Sequence, residues 1–365
     1  MNKIVPKRWL ISPLFLLLLS SPLLAQDPPP AEPFGEEITV ALARMTVRVI
    51  GPDQGPVLGL GPEDFHVVVG DQEVPVYAVD WVSSDAPDAA APSSDASGTL
   101  TPDRPVVDRP AGKRIVFFVE ASQSSLRTRG YMALRPQLRK LLNALPREDS
   151  VAVVSFDSTR LELWQDFTRD RKAAYKAIAR AMYFDGRSIT EGSDDPVSLA
   201  ANLDLGDPRR AITHAGALTA TAEALAGIDG EKALFYLGYG FKWHKLGDRG
   251  LDNELNHILQ ALHRSSTSLF ILDSKVHLDS TSFYDEFQNA NPFRYLFTSL
   301  AKEGGGAYLD SRSLPYLDNF AGVLSGHYVL SFDLATLPES GEFEIRLRDG
   351  RKGMVIGRPA EVSSR

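Results

Sequence analysis

The chain has 365 residues, of which 43% are hydrophobic, and it carries a formal net charge of −8 and no cysteine. This length and hydrophobic content suffice for one large domain and a smaller one, each with its own core. The lack of cysteine excludes disulfide bonds and thiol chemistry. The negative net charge, without a basic stripe in the sequence, argues against nucleic acid as a partner and against binding to anionic lipid.

The N-terminus has the layout of a secretory signal peptide. Lys3, Lys7 and Arg8 precede an apolar run over residues 9–19, and a small-residue exit follows at Ala25-Gln26. The run is shorter than the roughly 20 residues that a membrane-spanning helix needs. We therefore predict a signal peptide at residues 1–25, a periplasmic or secreted protein, and no stable membrane span after cleavage. The alternative is that the segment is kept as a membrane anchor.

Composition divides the rest of the chain. Residues 83–112 are rich in Ala, Ser, Pro and Asp and have no apolar periodicity, which predicts a flexible linker. Before it, residues 36–82 read as a small β module with a turn at Gly70-Asp71. Residues 326–365 contain two alternating runs, which predict a β-hairpin or part of a small β-sandwich. One hypothesis is that this last segment pairs with the N-terminal strands.

In residues 113–325, short apolar strands alternate with helices that carry apolar residues on one face. Strands that are apolar throughout predict a sheet covered by helices on both faces. The pattern therefore predicts an α/β fold with a doubly wound, mostly parallel sheet. One antiparallel pair is expected over residues 151–167.

In open sheets of this kind ligands bind beyond the carboxyl ends of the central strands. The first strand ends in Val119-Glu120-Ala121-Ser122-Gln123-Ser124. This stretch resembles the Asp-x-Ser-x-Ser signature of von Willebrand factor A domains, with Glu in place of Asp. Other segments resemble, in the same order, the related family described mainly from acidobacteria, and together they span most of the chain: 47–52, 57–65, 113–118, 149–156, 230–240, 300–308 and 325–332.

The resemblance implies a metal-ion-dependent adhesion site that also binds a protein partner. It assigns Glu120, Ser122 and Ser124 as ligands, with Thr213 as the hydroxyl before the third helix. Glu120 is one methylene longer than the family's Asp, and Tyr239 stands where the family has a second carboxylate. A phenol is neutral at working pH, and Mg²⁺ prefers charged or carbonyl oxygen. We therefore predict a degenerate site.

Two interpretations of this site remain. In one it holds Mg²⁺ or Mn²⁺ in an unusual way. In the other no cofactor binds, Ser122 and Ser124 cap the first helix, and Glu120 accepts hydrogen bonds from backbone amides.

Two segments near this edge are candidates for partner binding. The polar insert 186–209 contains Asp194 and Asp195, which could also replace the missing ligand, and long loops at such edges are often functional. The alternative is a disordered excursion. Tyr239 and Trp243 form an aromatic patch that would anchor a protein partner, unless Trp243 packs under its loop.

Motifs of the common enzyme classes are absent from the sequence: there is no Gly-x-Ser-x-Gly, no His-Glu-x-x-His and no Gly-rich phosphate loop. We predict a non-enzymatic protein-binding module for adhesion or complex assembly. A cation-dependent receptor and an ion-free envelope scaffold are the alternatives.

Overall fold

The computed structural model of the protein describes residues 42–83, 112–121, 125–157, 159–183, 195–203, 213–238, 248–274, 294–310, 313–338, 340–357 and 361–362. These residues all belong to one compact unit, 40–365. No helix within them is both long and apolar enough to cross a membrane.

Elements are numbered along the chain. The strands are β1 Leu42–Ile50, β2 Phe65–Val69, β3 Gln72–Glu73, β4 Ala78–Ser83, β5 Arg114–Glu120, β6 Ser150–Phe156, β7 Leu161–Thr168, β8 Lys232–Gly238, β9 Thr267–Asp273, β10 Tyr308–Leu309, β11 Gly326–Asp333, β12 Gly341–Leu347, β13 Met354–Gly357 and β14 Glu361–Val362. The α-helices are α1 Ser125–Ala144, α2 Arg171–Tyr183, α3 His214–Ala224, α4 Asp248–Arg264, α5 Arg294–Glu303 and α6 Phe320–Ser325. Short 3-10 helices lie at Pro62–Asp64, Leu225–Gly227, Leu314–Tyr316 and Leu334–Thr336.

The large domain is built on a six-stranded sheet in the order β10-β9-β8-β5-β6-β7. Its neighbouring strands are parallel, apart from the antiparallel pair β6 and β7 at one edge. The predicted fold class, a doubly wound and mostly parallel α/β sheet, is confirmed. The antiparallel pair lies where the sequence placed it.

Helices cover both faces of this sheet, which is why its strands are apolar throughout. Alternate residues of β5 point to opposite faces. Ile115 and Phe117 join one core, with α1, α2 and α6, while Val116 and Phe118 join the other, with α3, α4 and α5. The strands β5, β6 and β8 are buried along their whole length.

Strands from both ends of the chain form a separate β-sandwich. One sheet has the order β13-β1-β11-β4 and the other β14-β12-β2-β3. A third core lies between them and includes Phe65 and Tyr328. Gly70-Asp71 is the turn between β2 and β3, and Gly70 has the positive φ, +60°, that such turns require.

The hairpin predicted for residues 326–365 is wrong. Its two main strands, β11 and β12, lie in different sheets, where β11 pairs with β1 and β4, and β12 pairs with β2. The physical reason is that each strand buries one apolar face, and only a partner sheet covers it. Of the two interpretations drawn from the sequence, a small β-sandwich describes this segment.

The sandwich and the large domain meet at a charged junction. Glu231, just before β8, forms ion pairs with Arg48 of β1 and with Lys113, whose Nζ lies 3.5 Å from its carboxylate. Burial, together with the charges of Arg48 and Lys113, lowers the pKa of His327 to about 4. His327 is therefore neutral at working pH and adds no charge to this cationic cluster.

We expect Tyr328→Phe to destabilise the protein by about 1–3 kcal/mol, because two backbone groups lose a partner. The buried Tyr328 hydroxyl donates to the carbonyl of Val57 at 2.8 Å and accepts from the amide of Leu60 at 3.3 Å. The measurement is the free energy of unfolding in urea. Tyr77→Phe is the matched control, because Tyr77 is 61% exposed. Equal stability of the two variants would contradict this role of Tyr328.

Candidate functional site

The candidate site lies where the strand order of the large sheet reverses. From β5 the chain passes through α1 to β6 on one side, while β8 and β9 lie on the other. In doubly wound sheets this switch point, at the carboxyl ends of the strands, is where ligands bind. Glu120 ends β5 and Gly238 ends β8, so both stand at this point.

The Glu120 carboxylate is wholly buried, with 0% of the residue exposed. Its Oε2 accepts a hydrogen bond from the Tyr236 hydroxyl at 3.0 Å, and its Oε1 lies 3.5 Å from Nε2 of His214. The imidazole in turn packs edge-on against Phe156, with ring centroids 4.9 Å apart. A buried carboxylate needs such polar partners, because transfer out of water is otherwise costly. The carboxylate is thus held inside the protein by side chains.

Gly238 leaves the space that this arrangement needs. A Cβ at Gly238 would lie 2.5 Å from Oε2 of Glu120 and 2.6 Å from Cε1 of Tyr236. On the other side, the Tyr131 hydroxyl of α1 donates to the backbone carbonyl of Glu120. The ends of β5 and β8 and the first helix are therefore fixed to one another around this residue.

Thr213 is the N-cap of α3, so this helix begins at His214. Its Oγ1 accepts a hydrogen bond from the amide of Gly216 at 2.9 Å and lies 3.5 Å from Oε1 of Glu254 on α4. Burial raises the pKa of Glu254, although the hydrogen bond from Thr213 and the charge of His257 oppose the shift. The hydroxyl predicted as a metal ligand thus has a structural role as a helix cap.

A cleft of about 400 Å³ runs between α3 and α4 from Thr213 towards Arg264. Its walls combine small side chains with polar groups of both signs of charge. Glu254 and His257 line it, and an ion pair of 3.3 Å joins Glu223 to Arg264.

The described part of the donor set does not fit a magnesium or manganese site. Small hard cations need several oxygen ligands turned towards one point, whereas the Glu120 carboxylate is engaged with Tyr236 and His214 and the Thr213 hydroxyl caps α3. Within the described residues, no group of three or more His, Asp and Glu side chains is arranged to hold a metal ion.

The prediction for Asp195 is wrong. Its side chain is buried and forms an ion pair with Arg114 at 3.1 Å. Arg114 is the first residue of the seven-residue strand β5, and Glu120 is the last. At about 3.3 Å per residue, the ion pair therefore lies about 20 Å from Glu120, at the opposite end of the strands. Asp195 therefore cannot replace a ligand there. Its negative charge balances the positive charge of the buried Arg114 guanidinium.

The described part of the polar insert, residues 195–203, packs against the large domain. Ser198 Oγ donates to Oδ2 of Asp166 at 2.5 Å, and the amide of Leu199 donates to Oδ1 at 2.7 Å. Leu199 and Leu203 are buried in the core beside α3. This part of the insert is thus an ordered element of the fold. Ser122, Ser124, Asp194, Tyr239 and Trp243 lie outside the described residues.

Sequence reasoning missed His214 and Tyr236. His214 directly follows Thr213, and Tyr236 sits in a strand that is otherwise apolar. A polar ring within a buried strand needs a polar partner, and Glu120 is the polar residue that ends the neighbouring strand. That signal was available in the sequence, because β5 and β8 were both recognised as strands.

No family model matches the chain, and no curated protein matches it. Among solved structures, the PilB minor pilin from Streptococcus sanguinis is 9% identical, with 79% of this chain and 87% of that one covered and a TM-score of 0.37.

A von Willebrand factor type A protein from Catenulispora acidiphila is 9% identical, with 88% and 73% covered and a TM-score of 0.37. Manganese-loaded Plasmodium vivax TRAP is 9% identical, with 78% and 96% covered and a TM-score of 0.35. Scores this low add nothing to the fold, which rests on the strand order above.

We expect Gly238→Ala to destabilise the protein by about 1–3 kcal/mol, the usual cost of overpacking a buried site. The new methyl group would displace the Glu120 carboxylate or the Tyr236 ring. Urea unfolding measures the loss. Gly55→Ala is the control, since the nearest atoms to its added Cβ lie at 3.4 Å. A Gly238→Ala variant as stable as the control would show that the cluster is loosely packed.

Proposed function

We propose that this chain is an exported, non-enzymatic protein-binding module for adhesion or complex assembly, built on a von Willebrand factor A-like domain whose metal site has been lost. The observation that carries the proposal is the burial of Glu120 with Tyr236 and His214 at the switch point of the sheet. The carboxylate that would hold an ion in the resembling family is closed off from an incoming ligand.

The same burial argues against catalysis at this point. Glu, His and Tyr are the usual side chains of acid–base chemistry. Glu120 and Tyr236 are 0% exposed, however, and His214 is 3% exposed, so a substrate has no contact with them. Their role is to position the ends of β5, β8 and α3.

A protein partner would instead use the surface around this edge. The cleft between α3 and α4 begins there and combines carboxylate, imidazole and guanidinium groups with small side chains. Export is supported by the signal-peptide layout of residues 1–25, and partner recognition through surface shape requires no ion.

We expect isothermal titration of the folded mature chain with Mg²⁺ or Mn²⁺ to give no saturable heat, because the Glu120 oxygens are already engaged. Circular dichroism would establish that the sample is folded. The controls are Glu120→Gln and Ser122→Ala. Binding that both variants abolish would overturn the loss of the ion and favour a cation-dependent receptor.

A second experiment tests protein binding itself. We expect a photo-crosslinking residue at Asn253, an exposed position of α4 beside Glu254, to give a discrete adduct in native cells. The matched control places it at Asp229, which is exposed before β8 at the opposite edge. Equal adducts at both positions, or none at Asn253, would contradict a partner at the carboxyl edge.

A further inference from the structure

The helices α1 and α2 form a basic face on a chain that is acidic as a whole. Their sequences, SLRTRGYMALRPQLRKLLNA and RKAAYKAIARAMY, contain Arg and Lys but no Asp or Glu. The net charge of the chain is −8. Both helices cover the same face of the large sheet and pack against each other, so the fold brings their positive charges together.

A groove of about 520 Å³ lies on this face, a volume within the roughly 300–1,000 Å³ typical of ligand clefts. Arg135, Arg139 and Lys140 of α1 line it together with Tyr175 of α2. In the described part of the chain, no carboxylate forms an ion pair with any of these three cations. Arg139 and Lys140 are exposed to solvent, where an acidic partner can reach them.

Aromatic rings hold the guanidinium groups in place. Arg135 lies 5.7 Å from the ring centre of Tyr175 and 5.5 Å from that of Tyr183, and Arg139 lies 5.9 Å from Tyr175. Cation–π contact of this kind stabilises the cation. A fixed planar guanidinium offers paired N–H donors that match the two oxygens of a carboxylate.

The groove also has apolar parts. Met132 is 63% exposed, and the ring of Pro136 is exposed beside it. Proline has no amide N–H, so Pro136 cannot donate to the carbonyl of Met132 as a helical residue would. A bound peptide meets this surface with apolar side chains and with its own backbone amides, which a polysulfated or nucleic-acid chain lacks.

A membrane is a poorer occupant of this face. An interfacial helix inserts its apolar side between lipid chains, but the apolar side of α1, with Leu134, Leu138 and Leu141, is buried in the core of the domain. The described exposed side chains of α1 include Arg139 and Lys140 as well as Met132 and Pro136, so α1 has no wholly apolar side to insert.

We propose that this groove binds an acidic segment of a protein partner in which Asp or Glu side chains alternate with apolar ones. The inference rests on the proposed function as a protein-binding module. It adds a second surface, because α1 and α2 cover the face of the sheet opposite to α3 and α4.

The test uses the mature chain and a short fluorescent peptide of alternating Glu and Leu, with binding followed by anisotropy. Arg139→Glu/Lys140→Glu changes two exposed residues and should weaken binding about tenfold or more, with weaker binding also at high salt. Lys302→Glu/Lys352→Glu is the matched control, since it makes the same change of charge at exposed positions outside the groove. Its affinity should stay that of the parent chain.

Three results would overturn the proposal. The first is equal binding of a peptide with Gln in place of Glu. The second is an equal loss of affinity in the control variant. The third is tighter binding of a DNA duplex, or of phosphatidylglycerol vesicles, through Arg139 and Lys140. Failure of the Asn253 crosslink, with peptide binding intact, would count against the carboxyl edge and leave the groove in place.

Discussion

The structure depends on covering both faces of the central parallel sheet. β5 and β8 lie in the middle of it and have no exposed residue. Their backbone groups pair along the ladder and their side chains fill two separate cores. Polar side chains that could bind a ligand are therefore confined to the ends of the strands. Glu120, the last residue of β5, is still fully buried. Its carboxylate therefore requires the polar partners that Tyr236 and His214 provide.

The sequence was sufficient to predict the large domain. Strands that are apolar throughout and helices with one apolar face can each be recognised from their own segment of sequence. The antiparallel pairing of β6 and β7 follows from the short connection between these two strands. The sandwich was harder, because residues 326–365 look locally like a hairpin. Which strand pairs with which depends on contacts between residues some 270 positions apart, such as the 2.8 Å bond from Tyr328 to Val57.

The site was predicted only in position. The end of β5 is the switch point, as expected, but the environment of Glu120 is set by side chains from β8 and α3 that no local motif reveals. The prediction for Asp195 is wrong because a charge in a polar insert is usually exposed, whereas this carboxylate pairs with the buried guanidinium of Arg114. The basic face was missed for a related reason. The net charge of −8 is a sum over the whole chain, and it does not show that the fold gathers positive charges on the helices α1 and α2.

The sandwich also ties the two termini of the described chain into one sheet. β1 lies between β11 and β13, so the first described strand pairs with strands that are made much later. A chain without β13 would leave one edge of β1 open, and a chain that also lacked β11 would leave both edges open; open edges invite aggregation and degradation. Folding of this sheet must therefore wait for contacts between strands that are far apart in the sequence.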